Sequence, residues 1–430
     1  MTDPAFRIRV LPAIAGIAAA DWDACANPVS GGHGHGCRPG DAAADTDSTN
    51  EALKVMDEAR QTSSVEARGY RYNPFISHAF LFALESSGSA TAQTGWQPRH
   101  LLVEAAGGQV LGAAPCYLKS HSRGEYVFDA GWADAYERAG GRYYPKLQIS
   151  VPFTPATGPR LLARPGPAER AAREALAAGI VTLADEAGAS SAHVTFLPEE
   201  EWRLLGEYGF LQRTDQQFHW DNRGYSSFDD FLAALSSRKR KVIRRERREA
   251  LAPDITIHWL TGSDLTEDVW DAFFAFYMDT GSRKWGRPYL TRSFYSIIGE
   301  TMRERILLVM ARRSGRWIAG AINFIGSDIL YGRHWGAIED HPFLHFEVCY
   351  YQAIEFAIAQ RLRRVEAGAQ GEHKLARGYM PVTTYSAHYI ADPAFRRAVA
   401  DYLKRERSYV AAAGEELAAL APFRKTAGGE

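Results

Sequence analysis

The chain has 430 residues, of which 46% are hydrophobic and 23% charged, and its formal net charge is −1. This is the balance of an ordinary globular protein, and the length predicts two domains. The near-zero charge excludes bulk attraction to nucleic acid or an anionic membrane. The four scattered cysteines exclude a disulfide framework and favour a reducing cytoplasm. No apolar run reaches membrane-spanning length.

The first elements of the chain are predicted to be a strand and a helix. The apolar run of residues 7–20 contains two arginines and is therefore similar to a secretory signal peptide. Asp3 precedes this run, and Pro12 and Gly16 interrupt it. A strand over residues 6–11 followed by a helix is therefore favoured over a signal peptide.

Residues 29–70 are a break in composition, because Gly, Ala, Asp, Ser and Thr dominate them. Such a segment cannot bury enough apolar surface to fold by itself, so we predict an exposed, largely disordered insertion. His33, His35 and Cys37 lie within it, but the second ligand pair that a metal site needs is missing.

The next stretch, up to about residue 222, predicts the first domain. Helices are expected at 73–86, 169–188 and 199–208, and a hairpin at 100–118. Strands are expected at 125–129, at 150–153 with 159–162, at 193–197 and at 216–220. Between two of these strands lies a long segment of aromatic and basic residues. Such a segment suits either a ligand wall or a packed surface loop. Its candidate contacts are Trp132, Tyr144 and Lys146.

A long basic helix is predicted at residues 226–250. Eight Lys or Arg lie between residues 238 and 248, a pattern typical of nucleic-acid binding. However, Phe231, Leu235 and Val242 predict a buried stripe along the same helix, and nearby glutamates can pair with the arginines. A solvated helix, or a clamp for an anionic substrate, is therefore favoured over DNA binding.

A polar, glycine-containing segment at 281–289 precedes a predicted helix at 291–303. Its candidate ligand contacts are Arg283, Lys284 and Trp285. A hairpin over 305–324 follows. The order hairpin, strand, helix, strand occurs here and also in the first half of the chain, which indicates a structural duplication.

Residues 329–379 hold the strongest functional signal. A strand at 329–331, a helix at about 341–360 and a second strand at 364–367 predict a parallel pair with a right-handed crossover. Ligands of open α/β sheets bind beyond the carboxyl ends of such strands. Candidate substrate contacts near these ends are Tyr331, Arg333, Trp335, Gln370, Lys374 and Arg377.

The chemistry that these residues favour is direct acyl transfer to an amine. No G-x-x-x-x-G-K-[ST] loop and no G-x-G-x-x-G fingerprint is present, which disfavours nucleotide phosphotransfer and dinucleotide redox chemistry. Acyl transfer needs a base for the amine, donors for the oxyanion and positive charge for an anionic substrate. Candidate bases are His345, Glu347, Glu366 and His373. Cys349 is predicted to pack within the helix.

Several of these motifs resemble a known family. They are Tyr331-Gly332-Arg333, the helix HFEVCYYQAIEFAI and the run EAGAQGEHKLARGY, with further matches such as NPFISHAFLFALE and DTGSRKWGRPYLT upstream. They are similar to the Fem-like (FemAB-like) branch of the GNAT acyltransferases, which is related to peptidoglycan biosynthesis. The resemblance implies an α/β fold of tandem GNAT-like domains, residues 1–222 and 223–430, each with its own mixed central sheet and flanking helices. The active site would lie in the second domain.

The resemblance also implies the substrates. An acyl or aminoacyl group would pass from an activated donor to the amine of a small acceptor, in a cleft walled by the segments at 132–146 and 281–289. The loop GAIEDHPFLHFEV lacks the pyrophosphate-binding pattern of acetyl-CoA enzymes, so acyl-CoA and aminoacyl-tRNA both stay open as donors. No tightly bound cofactor and no metal are expected. The alternative is a non-catalytic protein that recognises an anionic cell-wall precursor or a similar metabolite.

Overall fold

The computed structural model describes residues 6–28, 71–252, 254–284, 288–368 and 371–424. The predicted insertion at 29–70, with His33, His35 and Cys37, lies outside these residues. So do the candidates Trp285 and Gln370 and the side chains of Arg283 and Lys284. No helix in the described part of the chain is both long and apolar enough to cross a membrane.

The described residues form fifteen strands and eleven helices, apart from short 3-10 turns. The strands are β1 Arg7–Leu11, β2 Trp96–Pro98, β3 His100–Glu104, β4 Val110–Ala114, β5 Cys116–Lys119, β6 Lys146–Ile149, β7 Leu162–Ala163, β8 Ser191–Leu197, β9 Leu211–Asp221, β10 Ile255–Leu260, β11 Ile306–Arg313, β12 Arg316–Ile325, β13 Ile329–Ala337, β14 Arg364–Glu366 and β15 Met380–Ile390. The helices are α1 Ala19–Ala26, α2 His78–Ser86, α3 Ala130–Arg138, α4 Glu169–Glu186, α5 Glu199–Glu207, α6 Phe228–Ala234, α7 Ser237–Leu251, α8 Glu267–Lys284, α9 Arg292–Thr301, α10 and α11 Pro393–Ala419. Helix α10 is continuous over Leu344–Phe346, the π-helical turn Glu347–Tyr351 and Gln352–Ala359.

Two sheets organise the described residues. Eleven strands form one mixed sheet in the order β10-β11-β12-β13-β14-β9-β15-β8-β6-β5-β2, and β1, β3, β4 and β7 form a smaller sheet. Each half of the chain contributes one parallel pair to the large sheet, β6 with β8 and β13 with β14. A helix lies between the strands of each pair, α4 in the first half and α10 in the second. The predicted mixed α/β architecture and the β13–α10–β14 unit are therefore confirmed.

The two halves exchange their last strands. Strand β9 ends the first half, yet it lies between β14 and β15. Strand β15 ends the second half, yet it pairs with β8 of the first. The expectation of a separate sheet in each half is therefore wrong, because a strand pairs with whichever edge is free and sequence spacing does not identify that edge. The domain boundary at residue 222 stays a prediction.

Helix α10 is buried along the stripe that the sequence predicts. The buried members of this stripe are Leu344, Val348, Tyr351, Ile354 and Ile358. They pack against strands of the second half, such as β11, β12 and β14, in one hydrophobic cluster. This packing fixes the helix that connects the two parallel strands, and with it the position of their carboxyl ends.

The basic stretch does not form one long helix. It is divided into α6 and α7, because Leu235 adopts an extended conformation and pairs with Phe423 near the end of the described chain. The backbone N–H of Ser236 also donates to the carbonyl of Pro422, over 2.9 Å. These contacts satisfy backbone groups that a continuous helix would pair internally.

Candidate functional site

A cavity of about 760 Å³ lies between the two halves of the chain. The first half contributes a loop before α3, together with Tyr144 and Pro155. The second half contributes the end of α8, part of β13, two side chains of α10 and the chain that follows β14. Of the predicted site residues, the cavity wall brings together Tyr144, Arg333, Trp335, His345 and Lys374.

The cavity opens where β13 and β14 part. The two strands pair in parallel only as far as Tyr331 and Glu366, and β13 then continues beside β12. Arg333 and His334 together lie opposite a single residue of β12, which makes a β-bulge. Bulges redirect side chains next to active sites, and both of these side chains line the cavity. Burial lowers the pKa of His334 to about 3, so its imidazole is neutral at physiological pH.

Lys374 supplies a buried cationic group at the carboxyl end of β14. Its Nζ donates to the carbonyls of Ala367 and Gly368, over 2.6 and 3.0 Å. Gly368 has φ 79°, a conformation that favours glycine, and it brings its carbonyl to the lysine. An ammonium has three donors, and the described residues accept hydrogen bonds from two of them, so the third can serve a ligand. Burial lowers the pKa of Lys374 to about 8.

Arg333 joins the two halves at the cavity wall. Its Nη2 donates to the carbonyl of Phe153, which precedes it by 180 residues. Burial lowers the pKa of Arg333, whereas the hydroxyl of Tyr126 acts in the opposite direction through charge and hydrogen bonding. Phe153 also stacks on Tyr289 from the second half, with ring centroids 4.7 Å apart. The wall is therefore held by contacts from both halves.

Imidazoles and aromatic rings form one cluster on the second-half wall. The ring of His345 lies 5.2 Å from that of Trp335 and 5.4 Å from that of Tyr350. The Tyr350 hydroxyl is hydrogen-bonded to Nε2 of His373 over 2.9 Å. His373 is exposed to solvent, whereas Tyr350 lines the cavity. The cluster thus connects the cavity to bulk water through polar side-chain atoms.

The first-half wall contains a buried network of opposite charges. The Nζ of Lys146 donates to Glu125 over 2.7 Å and also to Oδ2 of Asp129. Burial would lower the pKa of Lys146, but the two carboxylates raise it. Burial raises the pKa of Glu125 to about 7. Burial alone would also raise the pKa of Asp129, but the charges of Lys146 and His193 and the hydrogen bond from Lys146 together lower it. Of these three, only Asp129 lines the cavity.

This network explains why residues 125–129 do not form the predicted strand. Tyr126 has φ 61°, outside the extended region. The segment instead curls so that Glu125 and Asp129 both reach Lys146. The predicted strand is therefore absent because the charged side chains of this segment are buried as ion pairs.

Two predicted residues, Glu347 and Arg377, do not line the cavity and instead pair with residues of α7. Glu347 accepts three hydrogen bonds from Arg247, of 2.9 to 3.2 Å, and one from Gln352 of 2.7 Å. Arg377 donates to both carboxylate oxygens of Glu246 over 3.0 Å. Arg247 and Glu246 belong to α7. Arg247 donates to Glu347 of α10 and Glu246 accepts from Tyr351 of α10, so part of the basic helix is bound to α10.

Four other predicted residues also lie outside the cavity wall. Glu366 is paired with Tyr331 in the sheet, and its Oε2 has no hydrogen-bond partner among the described residues. Burial raises the pKa of Glu366 to about 7, although nearby arginines act against it. Trp132 packs on the rings of His388 and His193 and under the guanidinium of Arg213. Lys146 is enclosed in the network described above.

Several residues that line the cavity were not among the contacts predicted from the sequence. They are Tyr126, Asp129, Tyr277, Tyr289 and Tyr350. Tyr350 lies beside the apolar stripe of α10, and Asp129 was assigned to a strand, so neither carried a signal of its own. Tyr289 is the last residue of the predicted wall segment at 281–289, and Tyr277 lies four positions before that segment. The polar, glycine-containing character of the segment was the available signal for both. Within the described residues, no group of three or more His, Cys, Asp or Glu is arranged to hold a metal ion.

The fold and the site together define a class of protein. Two β–α–β units in one mixed sheet, with a cleft between them, make a mixed α/β protein. The chain belongs to the FemAB-like family, described as peptidoglycan biosynthesis/recognition, which it matches over residues 54–425. No curated protein is significantly similar to the chain.

The solved structures to which the chain is similar include FemX, L-PGS and a tandem GNAT protein. FemX is 12% identical with a TM-score of 0.46, over 74% of this chain and 93% of that one. L-PGS from Bacillus licheniformis is 10% identical with a TM-score of 0.47, over 79% and 99%. A tandem GNAT protein from the clavulanic acid biosynthesis pathway is 13% identical with a TM-score of 0.40, over 80% and 97%.

Proposed function

We propose that this protein is an N-acyltransferase. It transfers an acyl or aminoacyl group from an activated donor, acyl-CoA or aminoacyl-tRNA, to the amine of a small acceptor. The observation that carries this proposal is that one cavity combines Lys374 with the cluster of His345 and Tyr350. These groups lie near the ends of the two parallel strands β13 and β14. Membership of a family linked to peptidoglycan biosynthesis supports a transferase of this general kind.

The reaction needs a neutral amine. The nitrogen lone pair attacks the donor carbonyl, the nitrogen loses a proton, and the donor oxygen or sulfur leaves with the bonding electron pair and takes up a proton. His345 lies on the cavity wall as a candidate base. His373 is a second candidate, because the Tyr350 hydroxyl hydrogen-bonds to its Nε2 and can relay the proton towards solvent.

The cationic wall has two roles in this proposal. The remaining N–H donor of Lys374 stabilises the oxyanion of the tetrahedral intermediate or an anionic group of the donor. Arg333 holds the wall in place through Phe153 and adds positive charge. The side chains of the cavity and the two substrates supply every group that this step uses, so we propose no tightly bound cofactor, and acyl-CoA would act as a co-substrate.

A second candidate function is ligand recognition without turnover. It is favoured by the positions of Glu347 and Glu366, since neither of these predicted bases lines the cavity. The family description also includes recognition. In this case the same cationic wall would bind an anionic cell-wall precursor or a similar metabolite.

The test begins with the thermal stability of the full chain. Acyl-CoA species and aminoacyl-tRNAs are screened for a shift in the melting temperature, since a ligand at a hundred times its Kd adds about 2.7 kcal/mol to stability. Donors that bind are then incubated with amines, and amide products are measured by mass spectrometry. We expect a product that is lost in Lys374→Met. Binding without product from any donor and amine would support recognition and overturn the transferase proposal.

A further inference from the structure

The two carboxylate oxygens of Asp129 have different surroundings among the described residues. Its Oδ2 accepts hydrogen bonds from Tyr143, over 2.7 Å, and from Lys146. Its Oδ1 has no hydrogen-bond partner among the described residues, although the residue is only 3% exposed and lines the cavity. A buried carboxylate oxygen without a donor costs free energy. A donor supplied by a ligand would remove that cost.

The network around Asp129 suits a ligand that stays positively charged. Burial would raise the pKa of Asp129, but the charges of Lys146 and His193 together with the hydrogen bond from Lys146 outweigh it and keep the carboxylate ionised. A carboxylate of this kind is a poor base, so it is unsuited to take the proton from an attacking amine. It remains a strong acceptor for a charged N–H donor, because such hydrogen bonds are about twice as strong as neutral ones.

The other end of the cavity carries two cationic groups. Lys374 and Arg333 lie on the second-half wall, whereas Asp129 lies on the first-half wall. The first-half wall also carries the basic side chains of His121 and Arg123. Aromatic side chains line the cavity as well; they are Tyr126, Tyr144, Tyr277, Tyr289 and Trp335. A ligand that uses both charged ends therefore carries an ammonium and an anionic group on one small body.

We propose that Asp129 is a specificity-determining residue that binds a non-reacting ammonium group of an amino-acid-like substrate, while Lys374 holds the anionic or acyl end of that substrate. This inference rests on the proposed function, because it assigns the two ends of the same cavity. The ammonium at Asp129 stays protonated throughout, and the attacking amine is a different nitrogen.

The probes are three series of small molecules of increasing chain length. The first series is ω-amino acids from glycine to aminohexanoate, the second is the same carboxylic acids without the amine, and the third is the same amines without the carboxylate. Affinities for the full chain are measured by calorimetry. At the best chain length we expect the amino acid to bind at least roughly tenfold more tightly than either matched compound.

A variant pair then assigns the ammonium preference to one carboxylate. In Asp129→Asn the amino acid should bind only as well as the acid without the amine, whose own affinity should not change. Asp134→Asn is the control, since Asp134 is exposed on the neighbouring helix α3. If Asp129→Asn fails to fold, the comparison of the three series on the natural protein still decides the question.

Three outcomes would overturn the inference. They are equal binding of the compounds with and without the ammonium, an ammonium preference that survives in folded Asp129→Asn, and no binding in any series. These measurements need no donor and no turnover. A protein that forms amide product without an ammonium preference therefore contradicts this inference alone. A protein that shows the preference but forms no product contradicts only the proposed function.

Discussion

The hydroxyl of Tyr350, on the cavity wall, lies 2.9 Å from Nε2 of the solvent-exposed His373. If the amine proton leaves by this route, Tyr350→Phe and His373→Gln should each lower kcat by roughly a hundredfold or more while KM changes little. The double variant should be no slower than either single variant, because both remove one pathway. Tyr409→Phe, at an exposed tyrosine, is the control. Full turnover in either single variant would point to His345 as the base.

Removal of the Lys374 charge should weaken ligand binding. A hydrogen bond to a charged group contributes ~1.5–3 kcal/mol, so Lys374→Met should raise the Kd of an anionic ligand roughly tenfold to a hundredfold. Methionine keeps most of the side-chain volume, so we expect the fold to survive. Lys404→Met is a matched control on the exposed face of α11. Unchanged affinity in Lys374→Met would place the anion site elsewhere.

Binding of an anion should also depend on pH through Lys374. Its pKa is lowered to about 8, so the ammonium is charged below that pH and neutral above it. Affinity should therefore be nearly constant below pH 8 and fall by up to about tenfold for each further pH unit. Calorimetry between pH 6.5 and pH 10 measures this, at roughly half-unit steps. The decrease should be absent in Lys374→Met, and a decrease that persists there would assign it to another group.

Glu366 offers a pH test of stability. Burial raises its pKa to about 7 in the folded state, above the ordinary value of 4.5. Such a group contributes stability below pH 4.5 that is lost as the pH rises to about 7. Glu366→Gln should therefore reduce the fall in melting temperature over this range. Equal pH profiles for parent and variant would contradict the buried, protonated state.

The same variant tests the base that the sequence suggests. Glu366→Gln should abolish turnover and leave binding intact if Glu366 takes the amine proton. Glu366 does not line the cavity, whereas Tyr350 does, so turnover of Glu366→Gln and of Tyr350→Phe should be compared in the same assay. A variant that turns over normally would leave Glu366 a structural role in the sheet.

The insertion at residues 29–70 should be dispensable for folding. On either side of it, Asn27 and Asn73 are held together by two hydrogen bonds of 2.8 and 3.1 Å. A short Gly-Ser linker can therefore replace the insertion, and loop length alone changes stability by only ~0.6 kcal/mol per doubling. The melting temperature should change by less than a few degrees, whereas Asn27→Ala in the natural chain should lower it. A large decrease on replacement would count against the prediction.

The sequence predicted the local units of the fold better than their assembly. Periodicity was enough for α10, and strand–helix–strand order was enough for the parallel pairing of β13 and β14. The pairing of β9 with β14 joins distant parts of the chain, and local sequence does not encode it. The sequence also placed Glu347 among the candidate bases, whereas in the structure its carboxylate accepts hydrogen bonds from Arg247.

The site could be predicted only in part, for a similar reason. Glycine beside basic residues at strand ends pointed to Arg333 and Lys374, and both line the cavity. The opposite wall comes from residues more than a hundred positions earlier, so Asp129 carried no local signal for its role. Arg377 follows Lys374 by three positions, yet it donates to Glu246 of α7, a partner more than a hundred positions away that local sequence does not indicate.

The exchange of β9 and β15 constrains how this chain is made. Strand β8 is complete at residue 197, but its partner β15 does not begin until residue 380. During synthesis the edge of β8 stays open until the ribosome has delivered almost the whole chain, and open strand edges favour aggregation. The first half is therefore expected to depend on rapid completion of the second, and separate expression of either half should leave a central strand without a partner.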